Sequence, residues 1–345
     1  MTKEVEKIEY FYNNVIADGE VKKKERFVTV KIGINCTYMY LMDDESVSFV
    51  KKQIGGNGIR RKIAAGLFSL GTKLGRLSSY LPRFSSTTIE IPSNHSIDVA
   101  LLSMQIRLFD FENEIVHTIP YADPGRVTRE IEARSNLPES ICTPELVSVS
   151  QDYPFFSQKF IKGEGLQSPV KDFSKLSEAI HNISELHKYS ELKTKSTTKL
   201  LEEAAQNVTL SCKQRIKEKA KDLGLPEVVS YTRIHGDFHC DNIVVDAEGD
   251  IFIIDWEKSD YGYRFTDILH PFVRAFQSNN QKSCITSWMM DFNSPLWKLY
   301  ENVTGNEARD SRGILVLHLL LQLQRTPEER PEYETYMKLL QIINN

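Results

Sequence analysis

The stretch from Asn242 to Asp255 constrains this chain more than any other. Asn242-Ile243-Val244-Val245-Asp246 and Asp250-Ile251-Phe252-Ile253-Ile254-Asp255 are short apolar runs separated by Ala247-Glu248-Gly249. Two β-prone runs around a glycine-containing break predict a hairpin, and Gly249 supplies the backbone angles of a tight turn. Residues equidistant from the turn of an antiparallel pair lie opposite one another. Asn242, six residues before Glu248, and Asp255, seven after it, should therefore emerge near the open end of one hairpin.

An amide oxygen beside a carboxylate makes a pair of hard ligands suited to Mg²⁺, which usually takes one or two protein carboxylates together with substrate phosphates. Asp237 stands five residues before Asn242, on the loop entering the hairpin, next to Gly236, where the backbone can turn tightly. A carboxylate there can orient an attacking hydroxyl and accept its proton without competing for the metal. His235 reads as structural. His239 either holds the loop or contacts phosphate. Asp241 and Glu257 read as solvated charges, either of which could help at a second metal.

The rest of the chain surrounds this block with a particular order of elements. Residues 1–86 are hard to place beyond an alternating strand at 27–32, a glycine break at 55–58 and a helical pattern from 59 to 80. Residues 87–120 read as β, including a hairpin whose turn is Asp110 to Glu114, and 127–137 as a helix. Strands follow at 146–149 and 155–160, then a flexible break at 162–165. Beyond it Leu176, Ala179, Ile180, Ile183 and Leu186 recur at helical spacing. A lysine-rich helix covers roughly 198–223, and after the hairpin a helical tail runs to Asn345.

With 345 residues the chain has room for two lobes. A net charge of −4 argues against a dedicated nucleic-acid binder. The five cysteines, Cys36, Cys142, Cys212, Cys240 and Cys284, form no Cys-x-x-Cys pair and fit free thiols in a reducing compartment. The amino terminus lacks the apolar core of a secretion signal. The longest apolar run, 314–321, is too short to span a bilayer. These features together point to a cytoplasmic enzyme.

The block His235 to Asn242, reading His-Gly-Asp-x-x-x-x-Asn, and the segment Asp255-Trp256-Glu257 resemble the aminoglycoside phosphotransferase and choline kinase-like families, relatives of the protein kinases. The resemblance covers roughly residues 95–290. It implies an α+β, two-lobed protein-kinase-like fold with a β-rich nucleotide-binding N-lobe at 87–161, a mainly helical C-lobe at 162–345 and an N-terminal extension at 1–86. It implies ATP and Mg²⁺ as cofactors, Asp237 as catalytic base, and Asn242 and Asp255 as metal ligands. Trp256-Glu257 favours the small-molecule branch over protein kinases, which usually have Phe-Gly there.

The same resemblance assigns Glu130, after Arg129, as the anchor of a nucleotide lysine. It makes Gln158 to Glu164 the hinge, with Gln158 and Phe160 at the adenine, and ends the long C-lobe helix at Leu186-His187. Asp267 braces the catalytic loop, with His235, His239 and Glu257 in support. Two departures stand out. His117 occupies the strand position where the lysine is expected, and residues 92–97 contain no glycine-rich loop. Phosphate contacts from His117, Arg107 or backbone N–H groups are the substitutes available.

The implied function is transfer of the γ-phosphoryl of ATP to a hydroxyl of a small molecule, with a sugar or cell-surface precursor among the candidates. The alternative is a catalytically weak or inactive kinase-like binding protein, motivated by His117 and opposed by the intact Asp237/Asn242/Asp255 set. Gly55 to Gly58 with Arg60, Arg61 and Lys62 reads as a turn before a surface helix rather than an anion site. The 59–80 helix reads as packing against the N-lobe in preference to peripheral membrane contact. Trp288 and Trp297 read as core in preference to sugar-stacking platforms.

Overall fold

The computed structural model describes the chain apart from residues 1, 13–14, 16–21, 33–35, 41–42, 55–83, 93–96, 104, 122, 151–152, 191–192, 207–226, 279–281, 292, 306–310, 327–329 and 345. The glycine break at 55–58, the helix expected at 59–80 and most of the lysine-rich helix lie outside the described residues. The chain divides into two units, Met1–Ser135 with Pro144–Lys162, and Asn136–Thr143 with Gly163–Asn345.

The first unit contains α1 (Thr2–Phe11), β1 (Lys22–Ile32), β2 (Cys36–Tyr40), α2 (Asp44–Ile54), β3 (Phe84–Pro92), β4 (Val99–Leu102), β5 (Gln105–Asp110), β6 (Ile115–Pro120), α3 (Pro124–Ser135), β7 (Leu146–Ser150) and β8 (Phe155–Lys159). The strands form one sheet in the order β3-β1-β2-β4-β5-β6-β8-β7. Successive strand residues point to opposite faces. On one face Ile8 and Phe11 of α1, with Tyr12 just after it, pack over Phe27, Met39, Ile106, Leu108, Ile119 and Phe155. Each such fully buried large side chain contributes about 1.5–3 kcal/mol. On the other face Phe49 and Val50 of α2 meet Tyr38, Tyr40 and Phe109, and Val127 and Ile131 of α3 meet Phe156.

Residues 22–32, 36–40 and 84–92, parts of or adjoining the segment expected to be an extension, are strands of this sheet. Sequence alternation shows only 27–32, because Lys22 to Arg26 is charged. The ladder bonds through backbone, and a charge pair crosses it: Lys24 is registered opposite Glu90, with Nζ 2.9 Å from its carboxylate.

The second unit contains β9 (Gly163–Gly165), α4 (Phe173–Tyr189), β10 (Lys193–Ser196), α5 (Thr197–Gln206), β11 (Val228–Ile234), β12 (Ile243–Asp246), β13 (Ile251–Ile253), β14 (Asp260–Tyr263), α6 (Phe265–Ser278), α7 (Lys282–Met290), α8 (Pro295–Thr304), α9 (Ser311–Arg325) and α10 (Pro331–Asn344). Its strands make two three-stranded sheets, β10-β11-β14 and β13-β12-β9. The expected hairpin is present, with Ile243 opposite Ile253 and Val245 opposite Ile251. Gly163 lets β9 lie against β12, since a Cβ there would stand 2.4 Å from the Val245 carbonyl oxygen. Trp297 is fully buried and donates Nε1–H to the Met289 carbonyl at 3.0 Å, and Trp288 packs edge-on against Phe173. Trp297 is thus core, and Trp288 takes part in packing. Among the described residues no helix is long and apolar enough to cross a membrane.

Candidate active site

The site assembles where β11, β12, β13, β14 and α6 converge. β11 and β14 pair as far as Ile234 and Asp260, which brings the end of β11 alongside the segment that follows Asp255. Gly236, just beyond β11, has φ +83, and a Cβ there would meet the Lys258 carbonyl oxygen at 2.3 Å. Only glycine suits both the angle and the approach.

His235 is fully buried and ties three backbone points together. Its N–H donates to Asp267 Oδ2 at 2.8 Å, its Nδ1 accepts the Asp237 N–H at 3.3 Å, and its Nε2 donates to the Ile254 carbonyl at 3.0 Å. Those bonds require the neutral Nε2–H tautomer, and burial pushes the imidazole pKa down. The ring rests 4.5 Å from Trp256, itself fully buried. Asp267, on the first turn of α6, also accepts the Gly236 N–H at 3.1 Å. His187, near the end of α4, stands 3.7 Å from Asp267.

A short 3₁₀ turn, Cys240–Asn242, leads into β12. His239 caps it, Nδ1 accepting the Asp241 N–H at 3.2 Å, which leaves Nε2 facing Asp237 at 3.9 Å. Burial outweighs the neighbouring carboxylates and holds the His239 pKa at about 4. Asn242 is buried, and its Nδ2 donates to the Asp237 carbonyl at 3.0 Å. The amide oxygen is then the atom Asn242 can offer to a cation.

In the hairpin Asn242 lies level with Ile254, whose N–H donates to the Asn242 carbonyl at 3.0 Å, so Asp255 comes one residue past the pair. Asp255 adopts a left-handed conformation, φ 67 and ψ 59. That region is sparsely populated by residues other than glycine, though aspartate tolerates it better than most, and such strain concentrates at functional sites.

Asp237 is gripped from several directions. Lys258 Nζ stands 2.5 Å from Oδ2, and His270 Nε2 stands 3.5 Å from Oδ1. Burial opposes ionisation, but the His270 contact and the charges of Lys258 and His239 outweigh it and hold the carboxyl well below the usual carboxylate range. Lys258 and His270 were not anticipated from the sequence. The available signal was spacing: Lys258 follows Asp255 by three residues, and His270 follows Asp267 by three on one helix face.

A bound Mg²⁺ suits these donors. Asn242 has its amide nitrogen committed to the Asp237 carbonyl, Asp255 supplies a carboxylate, and two hard oxygens plus phosphates are an ordinary magnesium set. Among the described residues no group of three or more His, Cys, Asp or Glu side chains forms a closed metal cage.

The residues expected at the nucleotide are placed differently. His117 is buried, its Nδ1 2.7 Å from Ser157 Oγ and its ring 5.6 Å from Phe11. It therefore points to the α1 face of the sheet. Glu130 belongs to α3, which packs on the opposite face through Phe156, so the structure does not bring His117 and Glu130 together. The β6 residue level with Phe156 is Thr118, and Arg107 is registered opposite Thr118 on that same face. The residue on the α3 side is thus Arg107, not His117. Gln158 accepts from Arg134, and the Phe160 N–H donates to the Glu114 carbonyl at 2.7 Å while its ring packs against Phe49, Phe109 and Phe111. The Phe160 N–H is thereby engaged within its own unit. Glu257 is buried beside Trp256.

Residues 153–298 match a family model described as the phosphotransferase enzyme family. Among solved structures the chain is similar to choline kinase LicA from Streptococcus pneumoniae, at 11% identity over 70% of this chain and 89% of that one, with a TM-score of 0.45. It is also similar to aminoglycoside phosphotransferase APH(4)-Ia, at 14% identity over 73% and 91%, with a TM-score of 0.45. No curated protein matches the sequence. The block His235 to Glu257 that carries the resemblance lies inside the matched segment, residues 153–298, which is similar to the phosphotransferase enzyme family.

Proposed function

We propose that this protein transfers the γ-phosphoryl group of ATP to a hydroxyl of a small molecule, with Asp237 as the base. The observation that carries the reading is the bond from Asn242 Nδ2 to the Asp237 carbonyl, which locks base and metal ligand into one short loop. Asp237, kept ionised by its neighbours, orients the acceptor hydroxyl and accepts its proton as the oxygen attacks phosphorus. Asn242 and Asp255 would hold Mg²⁺, which would supply charge neutralisation at the phosphate oxygens. Arg107, on the α3 face of the sheet, takes the nucleotide role that the resemblance gives to His117. The intact Asp237/Asn242/Asp255 set speaks against a protein that only binds.

Phosphorylation of a metabolite pool with labelled ATP tests the activity and identifies the acceptor, sugars and cell-surface precursors included. Asp237→Ala should abolish transfer while the melting temperature stays within a few degrees of wild type. A purified, folded Asp237→Ala protein as active as wild type would remove Asp237 from the mechanism and the assignment with it.

A further inference from the structure

α6 does more than brace the catalytic loop. Asp267, in its first turn, accepts the N–H groups of His235 and Gly236. His270, three residues later and so on the same face, directs Nε2 at Oδ1 of Asp237 from 3.5 Å. One rigid element therefore reaches both the backbone of the loop and the carboxylate it carries. A second contact from outside the loop, Lys258, has a side chain 49% exposed, whereas that of His270 is 8% exposed. The His270 ring is also packed between His239 at 6.3 Å and His318 at 6.2 Å, and its buried Nδ1 has no hydrogen-bond partner. With nothing else to bond, the ring is oriented by its packing and by the Asp237 carboxylate.

We propose that His270 is a positioning residue of the phosphoryl transfer, donating Nε2–H to Oδ1 of Asp237 so that Oδ2 is the oxygen presented to the acceptor hydroxyl. This rests on the assignment of Asp237 as the base. A contact of 3.5 Å is long for a hydrogen bond, and catalytic contacts commonly tighten only when substrate is bound. When the acceptor hydroxyl displaces Lys258 from Oδ2, the His270 contact keeps the carboxylate from rotating.

The test uses the full-length protein with Mg²⁺-ATP and water as acceptor, following phosphate release. His270→Phe keeps the buried ring and removes the donor, and His270→Gln restores a donor near the Nε2 position. Phenylalanine should lower kcat by about 10- to 100-fold, the cost of a misplaced catalytic group, with KM for ATP unchanged, and glutamine should recover most of the loss. Histidine-labelled NMR gives a readout that needs no turnover: His270 should hold the Nε2–H tautomer, and Asp237→Ala should relax that preference. Equal kcat for the Phe and Gln variants, or a His270 tautomer indifferent to Asp237→Ala, would overturn the positioning role. If instead Asp237→Ala hydrolyses ATP like wild type, it is the assignment of the base that fails, a result separable from the other two.

Discussion

The Asp267 carboxylate accepts the backbone N–H of His235 at 2.8 Å, and with its second oxygen it accepts the next N–H in the chain. Removing that carboxylate leaves two donors in a buried place with nothing to bond. Asp267→Ala should therefore destabilise the protein by about 2–5 kcal/mol, the penalty for orphaning two such groups, and should release the loop carrying Asp237. Urea denaturation checks the first effect, and phosphate transfer by the surviving folded fraction checks the second.

Gly236 gives a sharper version of the same test. With φ +83 and a carbonyl oxygen 2.3 Å from where a Cβ would stand, Gly236→Ala must shift Lys258 or the loop. The strain should cost about 1–3 kcal/mol or more, with Asp237 displaced and activity lost. An alanine variant with wild-type stability and turnover would show that this close approach is not maintained in solution.

His117 and Arg107 now make opposite predictions. His117 packs beneath α1 with Ser157 and Phe11, so His117→Ala should cost about 1–3 kcal/mol of stability and leave the ATP dissociation constant unchanged. Arg107 lies on the α3 face, so Arg107→Ala should weaken ATP binding with a smaller effect on folding. Isothermal titration together with denaturation separates the two effects, and the reverse result would restore His117 to the nucleotide.

Asp255→Asn keeps a residue type that tolerates left-handed backbone and removes only the charge. For wild type, ligand at about 100 times its dissociation constant should add about 2.7 kcal/mol of stability. In the variant the stabilisation by Mg²⁺-ATP should fall towards that seen with ATP and chelator. Thermal shift in the two conditions reads the difference directly.

Acid should destabilise the fold through its buried histidines. Burial lowers the pKa values of His235, His239 and His318, His239 to about 4 from 6.5. The unfolded chain thus binds protons at these sites before the folded one does, and stability rises with pH in that interval. Lowering the pH from 6.5 towards 4 should cost about 1.4 kcal/mol per unit from His239 alone, with the other two adding in the same direction. The depressed Asp237 carboxyl adds its loss only below its unfolded value of 3.8. His318 is fully buried in α9 with neither ring nitrogen bonded. His318→Leu should therefore raise stability, and more so at about pH 5 than at about pH 8. An unchanged pH dependence in that variant would remove His318 from this account.

Much of the site was legible from local pattern. The hairpin follows from two β-prone runs and a turn. Its register follows from the turn, so the nearness of Asn242 and Asp255 could be inferred before any coordinates. The brace by Asp267 came from the family resemblance, and the structure shows its atoms. What the sequence withheld is equally specific. The face of β6 on which His117 lies depends on which helix covers which side of the sheet, and a period of two does not say which side is which. The strand at Lys22–Arg26 carries no apolar alternation, and its pairing with β3 runs through backbone and the Lys24–Glu90 pair.

The sequence by itself determined which groups stand together here, the Asp237 carboxylate and the side-chain oxygens of Asn242 and Asp255 within a short loop and hairpin, because those residues are near neighbours along the chain. Only the tertiary structure decided what surrounds Asp237. Lys258 and His270 reach Asp237 from other elements, and such contacts form where strands and helices pack together, which periodicity and spacing do not encode.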